Sequence, residues 1–298
     1  MLIIEDYRGC YGDGLERYCG FDRFSHDDGK NILFHGMGCI EYPLHKLKYK
    51  DYEKKIFWNL EHPCAWYHGD KNFAAISANM DKYFQKIFTI CPYTADWLNT
   101  LQKSNVFSPS YLPFNKNNVI DKKEDKEFDV IYWGHIFADI HINFIDAMKD
   151  FKYNFLSLGE MWDTLRKTKI CLITNHAYLT PSQIANVKSI RNWQKCEAFS
   201  HIDDGWVPQY KTRMIESAVN RTLMLVKKNP WKVDEMWFEA DKEFIFFEND
   251  DELPSLIEEI SSNWHKYENI VENAFIKATT DYTVENFLNL VERSLDDE

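Results

Sequence analysis

Short apolar runs alternate with helix-like stretches along the first half of the chain. The runs rich in Ile, Phe, Val and Tyr lie at residues 1–6, 31–37, 54–61, 86–91 and 106–114. Runs with little polar alternation are typical of strands that are covered on both faces. The clearest helical pattern between them spans residues 94–104, where Thr94 is a candidate N-cap. This alternation predicts an α/β region with a parallel sheet.

A similar pattern resumes after residues 117–129, which are highly charged and lack apolar periodicity. We interpret this stretch as an interdomain linker. Later strand-like runs lie at residues 128–135, 153–159, 169–175, 222–226 and 243–249. Residues 176–209 are polar and carry no clear pattern. The last helical pattern covers residues 282–295, with one apolar stripe formed by Val284, Leu288, Val291 and Leu295.

The patterns predict two α/β domains, the first over residues 1–120 and the second over residues 121–280. The C-terminal helix, within residues 281–298, can pack on either domain, and on the first in our preferred division. Two such domains are expected to face each other across a cleft, and ligands commonly bind at the carboxyl ends of parallel strands.

The segment over residues 210–228 is the most informative part of the chain. It predicts a helix that leads directly into a buried strand, with Arg213 and Glu216 three residues apart on its first turns. The amino end of a helix favours phosphate groups because its N–H groups are unpaired and its dipole is positive there. A carboxylate accepts hydrogen bonds from a ribose diol. The segment therefore predicts a nucleotide-binding site.

Charge and cysteine content narrow the function classes. The chain of 298 residues has 47 acidic and 35 basic side chains and a formal net charge of −12. This balance argues against broad, non-specific binding of nucleic acid, which needs a basic face. Seven scattered cysteines without a CxxC motif indicate a reducing, cytoplasmic location. The start of the chain has no signal-peptide pattern, and no apolar segment of the sequence is long enough to span a bilayer. We therefore expect a soluble protein.

Five segments in a fixed order carry a family resemblance. They are FTICPYTADWL (88–98), FDVIYWGHI (128–136), LRKTKICLITN (165–175), YKTRMIESAVNRTLMLV (210–226) and EFIFFENDDEL (243–253). From residue 86 to its end, the chain resembles GT-B glycosyltransferases, in particular the glycosyl-transferase-group-1-like branch that includes spore-maturation CgeB-type proteins. The resemblance implies an α/β fold with two Rossmann-like domains, of which the second binds the donor.

The resemblance also implies a set of donor-binding residues: Gly134, His135, Asn175, Lys211, Arg213 and Glu216. Glu216 matches the second glutamate of the family's EX7E pattern, which binds the donor ribose, and Arg213 fits a phosphate clamp. Gly134 ends the first strand of the second domain, where the backbone approaches the diphosphate. His135 stands where the better-known branch has arginine, and His141 lies near the place of its lysine.

The chain departs from the family pattern at two further points. Pro208 stands at the spacing of the first glutamate of EX7E, and Asp203 or Asp204 are candidates to replace that residue. Arg221 stands where the family often has glycine, and we expect Asn220 to supply the left-handed turn there.

Candidate catalytic residues lie in the first domain: His35, His62 and Asp6, with Glu61 and Asp70 as rival carboxylates. Each histidine follows an apolar strand, and an inverting member of the family needs a general base on the acceptor side. Residues 8–14 form a glycine-rich loop at the end of the first strand. The chain has no DxD or HxxxH motif, and the resemblance implies catalysis without a metal ion, with no metal ligand assigned.

The predicted function is transfer of a sugar from a UDP- or GDP-sugar to a hydroxyl group of a glycan or another small acceptor. A nucleotide-sugar epimerase or a phage-type DNA-base glucosyltransferase shares the fold and remains an alternative. The missing glutamate keeps open a third class, a non-catalytic GT-B-like protein that binds a glycan or a partner protein. Oligomeric state is not indicated by any pattern.

Overall fold

The chain folds into two compact units in the computed structural model. The structure describes residues 1–5, 21–35, 51–59, 80–134, 136, 139–156, 161–189 and 192–296. The units are Met1–Asn115, Ala177–Gln209 and Val284–Glu298 (unit 1), and Lys116–His176 and Tyr210–Thr283 (unit 2). The predicted domains differ from these units mainly at residues 177–209. That stretch lies with unit 1 because Ala177, Leu179 and Val207 join its apolar core.

The described strands are β1 (Leu2–Glu5), β2 (Asn31–His35), β3 (Lys54–Asn59), β4 (Lys86–Thr89), β5 (Phe107–Pro109), β6 (Phe128–Trp133), β7 (Tyr153–Leu156), β8 (Thr168–Thr174), β9 (His176–Tyr178), β10 (Trp206–Pro208), β11 (Leu223–Lys227) and β12 (Ile245–Phe247). The described α-helices are α1 (Pro92–Asn99), α2 (Asp139–Met148), α3 (Met161–Arg166), α4 (Pro181–Lys188), α5 (Arg213–Val219), α6 (Leu253–Ser262), α7 (Glu268–Asp281) and α8 (Val284–Asp296). Short 3-10 helices lie at Phe21–Phe24, Met80–Lys82, Lys116–Asn118, Trp193–Lys195, Glu197–Phe199, Ile202–Asp204, Asp250–Glu252 and Trp264–Lys266. Every predicted strand run overlaps one of the strands.

Unit 1 contains a parallel sheet with the strand order β1-β2-β3-β4-β5. Its central strands are apolar and covered, as predicted: Ile56, Phe57 and Trp58 of β3 are almost fully buried. Helix α1 begins after Cys91, with Pro92 in its first turn and no side-chain cap. The prediction that Thr94 caps this helix is wrong, because the pre-formed backbone angle of proline starts the helix three residues earlier.

The C-terminal helix α8 packs on the sheet of unit 1. The Phe287 ring lies 5.5 Å from the ring of Phe88 and 5.9 Å from that of Trp58. The predicted apolar stripe is correct at three of its four positions, whereas Leu288 is only half-buried and Phe287 takes the central place. An aromatic ring at this position fills more space between the helix and the sheet than leucine would.

Unit 2 contains a parallel sheet with the strand order β12-β11-β8-β6-β7. The chain starts in β6, steps to β7 on one side, and then crosses back to β8 on the other side. This reversal, between β6 and β8, is the topological switch point of a doubly wound sheet, where ligands commonly bind. Helices cover the sheet, and β8 at its centre has four successive residues without solvent exposure, Ile170 to Ile173.

The charged stretch over residues 117–129, predicted as an interdomain linker, is anchored on unit 2. The Lys126 ammonium donates to the backbone carbonyls of Arg166 and Arg221, each at 2.7 Å. The Arg221 guanidinium in turn lies 3.2 Å from the Asp121 carboxylate. These bonds hold the stretch against the loops that lead into β8 and β11.

Candidate functional site

The switch point of unit 2 brings predicted site residues together. Gly134 directly follows β6, and Asn175 directly follows β8. These two strands are parallel neighbours, so both residues lie at the carboxyl-terminal edge of the sheet. Lys211 and Arg213 join them from the loop before α5 and from its first residue.

Gly134 and Arg213 are in direct contact. Gly134 has a φ of +122°, a conformation that residues with a side chain rarely adopt. A β-carbon at this position would overlap Nη2 of Arg213 and lie 3.0 Å from its Cζ. The position therefore requires glycine for two reasons, its backbone conformation and the space that the guanidinium takes. The absence of a side chain at Gly134 therefore leaves room for the Arg213 guanidinium.

The Arg213 guanidinium is further placed by two aromatic rings from β6. Its Cζ lies 5.1 Å from the ring centre of Tyr132 and 5.0 Å from that of Trp133. Arginine is well suited to such sites because its planar, weakly hydrated cation stacks on aromatic faces. Within the described part of the chain, Arg213 forms no ion pair, and its buried Nε has no hydrogen-bond partner. The arrangement fixes a cation and leaves its charge available for an anion.

Two histidines near Arg213 or Lys211 are uncharged at neutral pH. Burial, and then the charges of Arg213 and Lys211, lower the pKa of His141 to about 4. Burial, followed by the charge of Lys211, lowers the pKa of His176 to about 3. His141 stacks on Tyr132 with ring centres 5.5 Å apart. Both imidazoles are therefore neutral, and the His176 ring lies 3.1 Å from the Thr174 hydroxyl.

The predicted site residue Asn175 has an internal role in this structure. Its side chain is fully buried; Oδ1 accepts from the Lys211 N–H at 2.7 Å, and Nδ2 donates to Asp234 at 2.7 Å. Asn229 donates to the other oxygen of Asp234. Burial raises the pKa of Asp234 to about 7, although both amide donors oppose the shift. The network fixes the backbone just before Arg213, and direct contact of Asn175 with a ligand stays a prediction.

Glu216 lies in the first turn of α5 and is 3% exposed. Its backbone N–H donates to the carbonyl of Thr212 at 3.0 Å, and its carbonyl accepts from the Asn220 side chain at 2.8 Å. The charges of Glu216 and Arg213 both act on the buried thiol of Cys171 in β8, so the two side chains lie over the same part of the sheet. Its role toward a ribose stays a prediction.

The predicted turn after α5 is wrong in one residue. Arg221, with a φ of 52°, takes the left-handed conformation, whereas Asn220 has a φ of −103°. The cost of this conformation for a residue with a side chain is offset by its contacts. Its guanidinium lies 3.1 Å from Glu272 and 3.3 Å above the ring of Phe275. Asn220 is instead used to bind the carbonyl of Glu216.

Several predicted residues cannot be placed. Asp6, His62, His135, and the rivals Glu61 and Asp70, lie outside the described residues, as does the glycine-rich loop. For His35, the described backbone shows that it ends β2. The candidates Asp203 and Asp204 lie in unit 1, where Asp203 forms an exposed ion pair with Lys188 and Asp204 lies 3.2 Å from the His201 ring.

Sequence reasoning missed four residues that shape this site: Tyr132, Trp133, His176 and Asp234. The first two belong to a strand that reads as ordinary core. A usable signal is the polar pair Asn175–His176 directly after a strand with the apolar centre Ile170 to Ile173. Asp234 has no such signal, because its importance arises only from the fold that brings it to Asn175.

The described ranges contain no group of three or more His, Cys, Asp or Glu side chains that could hold a metal ion. None of their helices is both long enough and apolar enough to cross a membrane.

Comparison with known proteins identifies relatives of the chain. The model of a family described as glycosyl transferase-like matches residues 123–292, more than half of the chain. No curated protein is significantly similar to it in sequence.

Solved glycosyltransferase structures share the fold. HepE from Anabaena, in complex with UDP and glucose, has 10% identity and a TM-score of 0.60, and the match covers 89% of this chain and 78% of HepE. Sucrose-phosphate synthase from Thermosynechococcus elongatus has 7% identity and a TM-score of 0.57, with 90% and 74% covered. A glycosyltransferase from Rickettsia africae has 8% identity and a TM-score of 0.55, with 100% and 99% covered. These likenesses confirm the predicted α/β fold with two Rossmann-like units, the GT-B fold.

Proposed function

Because this chain belongs to the glycosyl transferase-like family, we propose that it is a glycosyltransferase that takes its sugar from a nucleotide-sugar. The observation that carries this proposal is the cation at the switch point of unit 2. Arg213 lies against Gly134 and two aromatic rings, near the uncharged His141. The binding of UDP by HepE, a protein of the same fold, supports a nucleotide at this edge.

In the proposed donor complex, Arg213 binds the diphosphate. A guanidinium can bind two phosphate oxygens at once, and the low exposure of the site strengthens that interaction. Lys211 adds a second positive charge, and Gly134 lets the phosphates approach the backbone closely. As the bond between sugar C1 and the phosphate oxygen breaks, these groups stabilise the charge that develops on the leaving nucleoside diphosphate. We propose that they do so without a metal ion.

We propose that Glu216 binds the ribose of the donor and that the nucleotide is UDP or GDP. The burial of Glu216 supports a specific role, because a carboxylate is rarely enclosed unless polar partners compensate. The acceptor, a glycan or another hydroxyl compound, is assigned to unit 1. If the reaction inverts, His35, His62 or Asp6 takes the proton of the acceptor hydroxyl.

The test is an assay for released nucleoside diphosphate with UDP-, GDP-, ADP- and dTDP-sugars, preceded by a thermal-shift screen with the free diphosphates. We expect one of them to raise the unfolding temperature, since a ligand that binds only the folded state stabilises it. Stabilisation by none of the four nucleotides, together with no release from any donor, would refute the proposal and favour a non-catalytic protein.

The ribose assignment has its own test. We expect Glu216→Gln to weaken binding of the stabilising diphosphate about tenfold, because one charged acceptor of the ribose hydroxyls is lost. Exposed Glu258 on α6 provides the control, Glu258→Gln. Equal affinity of both variants and the wild type would remove Glu216 from the site while leaving the proposed activity intact.

A further inference from the structure

A cavity of about 460 Å³ lies at the amino-terminal edge of the sheet in unit 2. Its walls include Lys126, which precedes β6, Arg166, which precedes β8, and Arg221, which precedes β11. Because these strands are parallel, the cavity lies at the opposite edge from Gly134 and Asn175. A volume of this size accommodates a small molecule. The cavity is therefore separate from the proposed donor site.

Charged side chains of both signs line the cavity. The basic ones are Lys122, Lys123, Lys126, Arg166, Lys169 and Arg221. The acidic ones are Glu124, Asp125, Glu268 and Glu272. Most of the basic groups are neutralised: Arg166 lies 3.3 Å from Glu124, and Arg221 lies 3.1 Å from Glu272. Lys169 is paired with Asp129 outside the lining, at 2.8 Å. The carboxylates of the lining disfavour a ligand with several negative charges.

Lys126 differs from the other basic groups because its partners are uncharged. Its Nζ donates to the carbonyls of Arg166 and Arg221, and it forms no ion pair in the described part of the chain. An ammonium has three N–H donors, so these two bonds leave one. Nζ also lies 5.8 Å from the ring centre of Trp264, which lines the same cavity. A cation with a remaining donor thus lies beside a flat apolar surface.

From this arrangement we propose that the cavity binds a small molecule with one negative charge and a flat, apolar body, a second ligand site distinct from the donor site. The anionic group accepts the third N–H of Lys126, and the apolar body lies against Trp264 and Val271. The ligand class is an aromatic or similarly flat carboxylate, sulfonate or monoanionic phosphate ester.

Binding at this site is coupled to protonation of Lys126. Burial, and then the charge of Arg221, lower the pKa of Lys126 to about 7, while Glu124 acts in the opposite direction. The other charged groups that face the cavity come from the preceding stretch, from the end of α3, from the start of β8 and from α7: Lys122, Lys123, Asp125, Arg166, Lys169, Glu268 and Glu272. An anion stabilises the charged amine, so binding takes up a proton above pH 7. We expect affinity to be about tenfold weaker at pH 8 than at pH 6.

The experiment is calorimetric titration of the full chain with benzenesulfonate, whose charge is constant over this pH range. Benzenesulfonamide is the uncharged probe of the same shape, and benzoate distinguishes a carboxylate from a sulfonate. For a ligand of this size we expect a dissociation constant of about 1 mM for benzenesulfonate. We expect much weaker binding of benzenesulfonamide and proton uptake that depends on the buffer at pH 7.5.

Three variants assign the site. Lys126→Met removes the amine and keeps the stem, and should weaken benzenesulfonate at least tenfold and abolish the pH dependence. Lys152→Met is the matched control, because Lys152 also lies over an aromatic ring in unit 2, 5.3 Å from the centre of Phe128, but does not line the cavity. If Lys126→Met does not fold, Lys122→Glu reverses an exposed charge of the lining and should weaken binding several-fold.

Saturable binding of benzenesulfonate that Lys126→Met or Lys122→Glu weakens, and Lys152→Met does not, supports the site. No binding, equal binding by all variants, equal binding of the uncharged probe, or displacement of benzenesulfonate by UDP each overturns it. The outcome is independent of the proposed activity, since none of these measurements requires a donor or a turnover.

Discussion

The two edges of the sheet in unit 2 use basic residues in different ways. At the amino-terminal edge, Arg221 is paired with Glu272 and Asp121, and Arg166 is paired with Glu124. At the carboxyl-terminal edge, Arg213 has aromatic rings and a glycine around it and forms no ion pair in the described ranges. Helix α5 connects the two edges, with Arg213 at its start and Arg221 just after its end.

The partners of an arginine distinguish one that stabilises the fold from one that is available to a ligand. A paired arginine holds its own chain in place, as Arg221 does for the stretch before β6. An arginine that is positioned by neutral groups keeps its charge for a ligand, and the lowered pKa values of His141 and His176 keep the neighbouring imidazoles from repelling one another. Counting basic residues along the sequence does not make this distinction.

The largest expected effect concerns Asp234 beneath the carboxyl-terminal edge. Its pKa is raised to about 7 in the folded chain, so the stability it contributes is present below pH 4 and is lost as the pH rises through 7. We expect the free energy of unfolding of the wild type, relative to Asp234→Asn, to fall by up to about 4 kcal/mol from pH 4 to pH 7. Denaturant titrations at several pH values measure this. The control is Asp146→Asn, at an exposed position on α2, whose free energy of unfolding should vary with pH as that of the wild type does. If the free energy of unfolding of Asp234→Asn also varied with pH in this way, the Asp234 carboxyl would be ionised normally.

The second effect has the opposite sign with pH. The pKa of His141 is lowered to about 4, so the stability it contributes is present above pH 6.5 and is lost as the pH falls through 4. The variant His141→Phe keeps a ring against Tyr132. Between pH 7.5 and pH 4, we expect its free energy of unfolding to fall by up to about 3 kcal/mol less than that of the wild type. Exposed His265 provides the control variant His265→Phe. Identical acid sensitivity of all three proteins would contradict a neutral, buried His141.

The arginines at the two ends of α5 give the direct comparison of the edges. We expect Arg213→Met to weaken UDP binding by about 10- to 100-fold, since it removes a charge-assisted hydrogen bond to phosphate. Arg221→Met should lower stability through loss of the Glu272 and Asp121 pairs and leave UDP affinity unchanged. Calorimetric titration with UDP measures the affinity of each variant. The distinction between the edges fails if both variants bind UDP alike.

The smallest effect separates backbone strain from crowding at Gly134. Gly134→Ala and Gly205→Ala both place a side chain at positive φ, so each should destabilise its unit by about 1 kcal/mol. At Gly205 the nearest atom to an added β-carbon is 3.6 Å away, whereas at Gly134 it would overlap the guanidinium. We therefore expect only Gly134→Ala to weaken UDP binding, several-fold, in the same titration. An unchanged affinity for UDP would show that Arg213 binds the nucleotide without its contact with Gly134.

The apolar runs were sufficient to predict the strands of the two five-stranded sheets and the fold class, because parallel strands buried on both faces leave a strong local signal. Strands β9 and β10 were not predicted, because residues 176–209 carry no clear pattern. The segments 128–136 and 210–226 likewise led to Gly134 and Arg213, which the fold brings into contact. The assignment of residues 177–209 to unit 1 was not predictable in this way. It depends on distant contacts of Ala177, Leu179 and Val207 with the core of that unit.

Local rules failed where tertiary contacts compensate for them. Arg221 takes a left-handed conformation that sequence alone assigns to Asn220, because Glu272 and Phe275 hold its side chain. Asn175, predicted as a donor-binding residue, has its polar atoms used by Lys211 and Asp234. Such partners are 36 and 59 residues away along the chain, so no local pattern indicates them.

The most direct test is a crystal structure of the chain soaked with UDP. We expect the diphosphate at the carboxyl ends of β6 and β8, with phosphate oxygens within about 3.2 Å of the Arg213 guanidinium. Clear density for UDP at another place, with Arg213 still against Gly134 and touching no phosphate, would contradict the assignment of this edge as the donor site.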